Sequence, residues 1–149
     1  MAIIPVRIRR GVEWHLKNAN CIRAKAFADA EVLRNKAEEH KDNETGIRGK
    51  GGHSDRVSHA AICLAEADRI LRQAPLWMDV VDETRAFYEG SKRLGEFYRL
   101  YYDVGASQDT IAQRMGVEKT TIYDWRTEIV TRAAMLALEK GLVKLSGAD

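Results

Sequence analysis

The sequence predicts an all-α fold, and three observations carry that expectation. Apolar residues recur at intervals of three and four along nearly the whole chain, the period of a helix face. Only two of the 149 residues are proline. Beta-branched and aromatic residues rarely alternate with polar ones, so the only strand candidate is a short one at Ala2–Ile8. Hydrophobic residues make up 45% of the chain, enough for a core, and charged residues 31%, which favours helix with little rigid loop. The length suits one domain, or one with an extended arm. The expected division is residues 1–52 as N-terminal arm, long helix and Gly-rich loop, then 53–149 as a helical domain.

The opening M-A-I-I-P-V-R-I-R-R is apolar and basic together. Pro5 has no amide hydrogen to give a helix and argues against one there. Arg7, Arg9 and Arg10 suit an arm lying against phosphates or a minor groove, although a solvated terminus is the plainer reading. From Gly11 to His40 a long helix is expected on Val12, Leu16, Ala19, Ala26, Ala30, Leu33 and Ala37. Its stripe is narrow and alanine-rich, suited to close packing within the domain or against a partner chain, with Arg23 interrupting it. Lys41 to Gly52 is the clearest break, with three glycines in four residues around Lys50. Glycine, not serine or threonine, follows that lysine, so a phosphate-binding P-loop is rejected.

Ser54-Asp55 offers a cap to the next helix. Val57, Ala60, Ala61, Leu64, Ala67 and Leu71 form its apolar face, and it should end near Ala74. Pro75 suits the first turn of a further helix. The expected inner face of that helix is Leu76, Val80, Thr84, Phe87 and Tyr88, up to Gly90. Leu94, Phe97, Tyr98 and Tyr101 predict another helix ending near Gly105, with rings at core-like spacing and not on an open stacking surface.

Ser107 to Thr127, S-Q-D-T-I-A-Q-R-M-G-V-E-K-T-T-I-Y-D-W-R-T, reads as a helix-turn-helix. Ile111, Ala112 and Met115 share one face of a short helix. Gly116 suits a left-handed backbone at its end. Val117 fills the turn, and Ile122 and Trp125 give a second helix its inner stripe. Lys119, Thr120, Tyr123, Asp124 and Thr127 remain on the outer face and are the candidates for base edges in a major groove. Gln108, Thr110, Arg114, Arg126 and Arg132 are the candidates for phosphate contacts. The second helix runs on through Ile129, Ala133, Leu136 and Ala137, with Gly141 as a cap.

Charge is the awkward fact for such a reading. Residues 1–81 carry 14 Lys/Arg against 11 Asp/Glu, whereas residues 82–149 carry 10 against 11. Phosphate attraction normally supplies much of the affinity for DNA. Either local clustering suffices, or dimerisation or RNA polymerase makes up the deficit.

Other function classes find little support. No nucleophile motif, Cys-His arrangement or metal-binding helix signature is present, so no enzyme, metal or cofactor is expected. Cys21 and Cys63 lie far apart within helical patterns and read as buried thiols. The four histidines lack the paired spacing of a zinc site. No apolar run reaches the length of a membrane span and no signal-peptide pattern opens the chain, so a cytoplasmic protein is expected.

The order of these features resembles the small phage and prophage transcriptional regulators of the RinA and ArpU type, over most of the chain. The resemblance rests on an N-terminal helix, G-K-G-G-H-S-D-R-V-S-H-A-A-I at 49–62, P-L-W-M-D-V-V at 75–81, and the stretch from Arg99 to Val130. That last stretch is also similar to the promoter-reading domain of sigma factors. Arg56 stands where the Ser-Asp element of these regulators often carries proline. The resemblance implies sequence-specific double-stranded DNA binding and activation of late genes in a bacterial host cell, with RNA polymerase or a second copy as further partners. Two other readings use the same residues: a DNA-packaging subunit of the small-terminase kind, and an adaptor that binds RNA polymerase without reading DNA.

Overall fold

The computed structural model describes residues 4–46 and 53–145, with side chains described for residues 4–39 and 58–145. Helix α1 spans Val6–Lys17, and a 3-10 turn at Ala19–Cys21 leads into α2, Ile22–Gly46. Helix α3 spans His53–Glu89, and α4, Lys92–Tyr98, continues as a π-helical segment, Arg99–Val104. Helices α5, Gln108–Met115, and α6, Lys119–Glu139, follow. No strand occurs among the described residues, and the fold is all-α.

The chain divides into two compact units, residues 1–20 with 76–149, and residues 21–75. The expected boundary at residue 52 therefore falls inside the second unit. The glycine run itself lies outside the described residues, and the chain passes between units at Asn20–Cys21 and Pro75–Leu76.

Among the described residues, the core of the second unit is built from alanine. Ala26, Ala30 and Ala37 of α2 and Ala60, Ala67 and Ala74 of α3 are buried, with Ile22 the one larger aliphatic buried among the unit's described residues. Seven-residue steps from Ala30 to Ala37 and through Ala60, Ala67 and Ala74 keep the small residues on one stripe of each helix, where backbones can approach closely. Arg34 reaches Asp68 across the pair at 4.0 Å.

The first unit has a conventional core. It buries Ile8, Val12 and Leu16 of α1, Val80, Val81 and Tyr88 of α3, the rings of Phe97, Tyr98, Tyr101 and Tyr102, and Ile111, Ile122, Ile129 and Ala133. Thr84 is fully buried, and its hydroxyl donates to the Val80 carbonyl at 2.7 Å, so its burial leaves no orphaned donor. Gly105 ends the π segment at φ +82°, and the Ala106 amide donates back to Leu100 at 2.9 Å, closing the helix end as a left-handed cap does.

Four local expectations need correction. The strand candidate at Ala2–Ile8 is helical from Val6 onward, and Pro5 is the residue that caps it. A missing amide does no harm there, because first-turn amides have no partner within the helix. The long helix expected over 11–40 breaks at Asn18, whose side-chain amide and backbone amide both donate to the Trp14 carbonyl. Pro75 lies inside α3 instead of starting a new helix; burial of Ala74, Trp77 and Val80 on either side carries the helix through it. The inner face after Pro75 is Trp77, Val80, Val81, Thr84 and Tyr88, while Phe87 is 55% exposed.

Candidate nucleic-acid interface

Helices α5 and α6 are positioned by local chemistry that is easy to follow. The Ser107 hydroxyl accepts the Thr110 amide at 3.1 Å and caps α5. Gly116 ends it at φ +66° and ψ 39°, with the Val117 amide donating to Ala112 at 3.0 Å. The Glu118 carbonyl then accepts the Thr121 and Ile122 amides and starts α6. Ile111 and Ile122 are fully buried, and Ala112, Met115, Val117 and Trp125 are half-buried around them. Arg93 of α4 braces the pair: its guanidinium donates to the Met115 carbonyl at 3.4 Å and lies 5.7 Å from the Trp125 ring.

The outer face of α6 carries the expected candidates. Lys119, Thr120, Tyr123 and Asp124 are exposed. Lys119 makes an ion pair with Asp109 of α5 at 2.7 Å, both side chains about 70% exposed, a geometry worth at most about 1 kcal/mol and readily exchanged. Thr127 is half-buried and its hydroxyl donates to the Tyr123 carbonyl at 2.9 Å. Near the start of α5, Gln108 is half-buried, and the Thr110 side-chain oxygen bonds to Ser107 at 2.8 Å. Arg114 is exposed at the other end of α5.

Two arginines are engaged within the protein. Arg126 points back to α1, where Glu13 accepts its Nη2 at 2.6 Å and its Nε at 3.2 Å. This pairing raises the guanidinium pKa still further, and the arginine also lies 5.2 Å from the Tyr101 ring. Arg126 is therefore committed to holding α1 on α6 and is withdrawn from the phosphate candidates. Arg132 is exposed, but its guanidinium stacks 3.5 Å from the centre of the Phe87 ring.

Glu13 is the residue that sequence reasoning missed. Besides Arg126 it accepts the Tyr102 hydroxyl at 3.0 Å, joining α1, the π segment and α6. Burial and this carboxylate push the phenol pKa far up, so Tyr102 stays a donor. Beside Glu13, α1 and α6 enclose an open cleft of about 190 Å³ lined by Arg9, Arg10, Tyr123 and Thr127, with Val6 and Val130 at its apolar side. The basic opening segment thus lies next to the outer face of α6 as part of a helix. The Arg9, Arg10 and Glu13 spacing of three and four was the only signal available from sequence.

The remaining candidate chemistry is sparse. No group of His, Cys, Asp and Glu suited to a metal occurs among the described residues. Neither cysteine forms a disulfide, and Cys21 is exposed where a buried thiol was expected, because it sits on the 3-10 turn. His15 stacks on Trp77 at 3.7 Å between ring centres and bonds through Nδ1 to the Gly11 carbonyl at 2.7 Å. No helix among the described residues is long and apolar enough to cross a membrane. Comparison with protein-family models, with curated proteins and with solved structures finds no match to this chain.

Proposed function

We propose that this chain is a sequence-specific double-stranded DNA-binding transcriptional regulator in which α5 and α6 act as a helix-turn-helix and α6 enters the major groove. The narrower reading is a late-gene activator of a phage or prophage, of the RinA/ArpU type, working in the cytoplasm of the bacterial host. One observation carries it. Ile111 and Ile122 anchor the two helices inward while Lys119, Thr120, Tyr123 and Asp124 stay exposed together on one face of α6. That face has donors, acceptors and an aromatic ring within the first two turns, the part of a recognition helix that reaches base edges. Thr127 lies at its far end. Gln108, Thr110 and Arg114 flank it as phosphate contacts, with Arg132 further along. RNA polymerase and a second copy as partners rest on the family resemblance.

Selection of binding sites from random duplexes with the purified protein tests this. A defined sequence should emerge. Lys119→Ala or Tyr123→Ala should weaken its binding by about 1–3 kcal/mol and relax preference at particular base pairs. Arg114→Ala should weaken all duplexes alike and flatten the salt dependence. Equal binding by the wild type and all three variants contradicts the assignment. Retention of RNA polymerase with no duplex footprint points to the adaptor reading.

A further inference from the structure

We infer that α1 is a second DNA-contacting element, with Arg9 and Arg10 holding the sugar-phosphate backbone that borders the groove entered by α6. This rests on the reading of α6 as the recognition helix and extends it to a part of the chain more than a hundred residues away in sequence.

The cleft between the two helices carries the argument. Three of its lining side chains are guanidinium groups, Arg9, Arg10 and Arg126, and its single carboxylate is Glu13. Both Glu13 oxygens are already taken, one by Arg126 Nη2 and the other by Arg126 Nε and the Tyr102 hydroxyl, so the carboxylate is neutralised from within. The charge left facing the cleft is that of Arg9 and Arg10. Arg10 is exposed, and the Nε of Arg9 is buried with no hydrogen-bond partner. That nitrogen is closed to a ligand as it is to water, so the exposed guanidinium of Arg10 is the one that offers an anionic oxygen charge-assisted hydrogen bonds.

Position selects the anion. Tyr123 and Thr127 form the opposite wall of this cleft, and both belong to the outer face of α6 proposed to meet bases. A duplex seated on that face brings its backbone past the cleft mouth, where a planar, bidentate guanidinium suits a phosphate better than a point charge does. The arrangement also answers the charge deficit of residues 82–149, which hold 10 Lys/Arg against 11 Asp/Glu. The missing positive charge comes from the start of the chain, delivered by α1.

The test is duplex binding followed by fluorescence anisotropy over a series of salt concentrations. The selected duplex and an unrelated duplex of equal length are compared for the wild type, Arg10→Ala, Arg9→Gln and a control, Arg72→Ala, taken from the second unit. Arg10→Ala should weaken both duplexes by one common factor and reduce the slope of log affinity against log salt by about 0.9 for each phosphate no longer neutralised. Arg9→Gln should do the same, and Arg72→Ala should leave the slope unchanged. Thermal unfolding of each variant identifies any that fails to fold; Arg10 is exposed, so its variant carries the test if Arg9→Gln does not fold. Tight wild-type binding with an unchanged slope in the α1 variants overturns this inference alone. The same slope reduction in Arg72→Ala also overturns it, because the effect is then one of overall charge. A wild type that binds neither duplex overturns the helix-turn-helix reading and this inference with it.

Discussion

A β-carbon placed on Gly95 would stand 2.7 Å from the Tyr88 carbonyl oxygen, a backbone atom that cannot swing aside. On Gly116 it would meet nothing within 4 Å, yet the residue sits at φ +66°. The two glycines are therefore required for different reasons, one for closeness and one for handedness. Gly116→Ala should cost about 1–2 kcal/mol, the left-handed penalty alone. Gly95→Ala must push α4 away from the end of α3, at the upper part of the roughly 1–3 kcal/mol range of overpacking or beyond it. Chemical denaturation of the two variants checks the order, and equal losses would contradict it. His15 gives a second prediction at this scale. Burial against Trp77 lowers its pKa, only partly offset by the bond to Gly11. Below its ordinary value the unfolded chain binds the proton more readily than the folded one, so stability rises with pH across that window. The contribution is complete above about pH 6.5 and is lost as pH falls through the lowered folded value. His15→Phe keeps an aromatic ring beside Trp77 but cannot titrate. Its loss of stability between about pH 7.5 and about pH 5 should be smaller than that of the wild type; an identical loss removes His15 from the account.

Elements differ in how far local sequence determines them. Helices α5 and α6 are legible in the sequence because each signal is local: a cap at Ser107, a left-handed glycine at 116, and Ile111, Ile122 and Trp125 at helical spacing. The exposed set Lys119, Thr120, Tyr123 and Asp124 follows from the same periodicity. Pro75 misleads because its local preference for a helix start is overridden by buried neighbours on both sides, Ala74 and Trp77. The Glu13–Arg126 pair is invisible in the sequence because 113 residues separate its members and neither breaks the pattern of its own helix. Helix α1 shows the consequence. Read alone, its arginines look like a solvated terminus; placed by Glu13 against α6, they border the proposed recognition face. The alanine stripe of α2 and α3 invites its own test. Ala67 is fully buried on a stripe of small residues. Ala67→Leu should force the two helix backbones apart and lose about 1–3 kcal/mol, although leucine is the more hydrophobic residue. A gain in stability on urea denaturation would mean that the stripe has room to spare.

At the scale of the molecule the two units hold cores of unequal strength. Among the described residues, the unit of 1–20 and 76–149 buries aromatic and large aliphatic side chains, each worth about 1.5–3 kcal/mol against exposure. Of its described side chains, the unit of 21–75 buries six alanines and Ile22, while Phe27, Val32 and Ile62 are more than half exposed. An alanine removes one methyl group from water and yields a fraction of that stabilisation, yet ordering its backbone costs as much as ordering any other residue. Local opening should therefore be cheaper in the second unit, with free energies well below the global value. The contrast can be read within one element, since α3 contributes to both units and passes Pro75 on the way. Amides in 58–74 should exchange with deuterated solvent orders of magnitude faster than those in 77–89, although both stretches are helical throughout. Proline reinforces the difference by leaving the carbonyl four residues before it without its usual amide donor. Peptide-level hydrogen exchange on the full chain measures this directly. Equal protection on the two sides of Pro75 would show that α3 opens as one body and that the alanine pairing is as strong as the aromatic core.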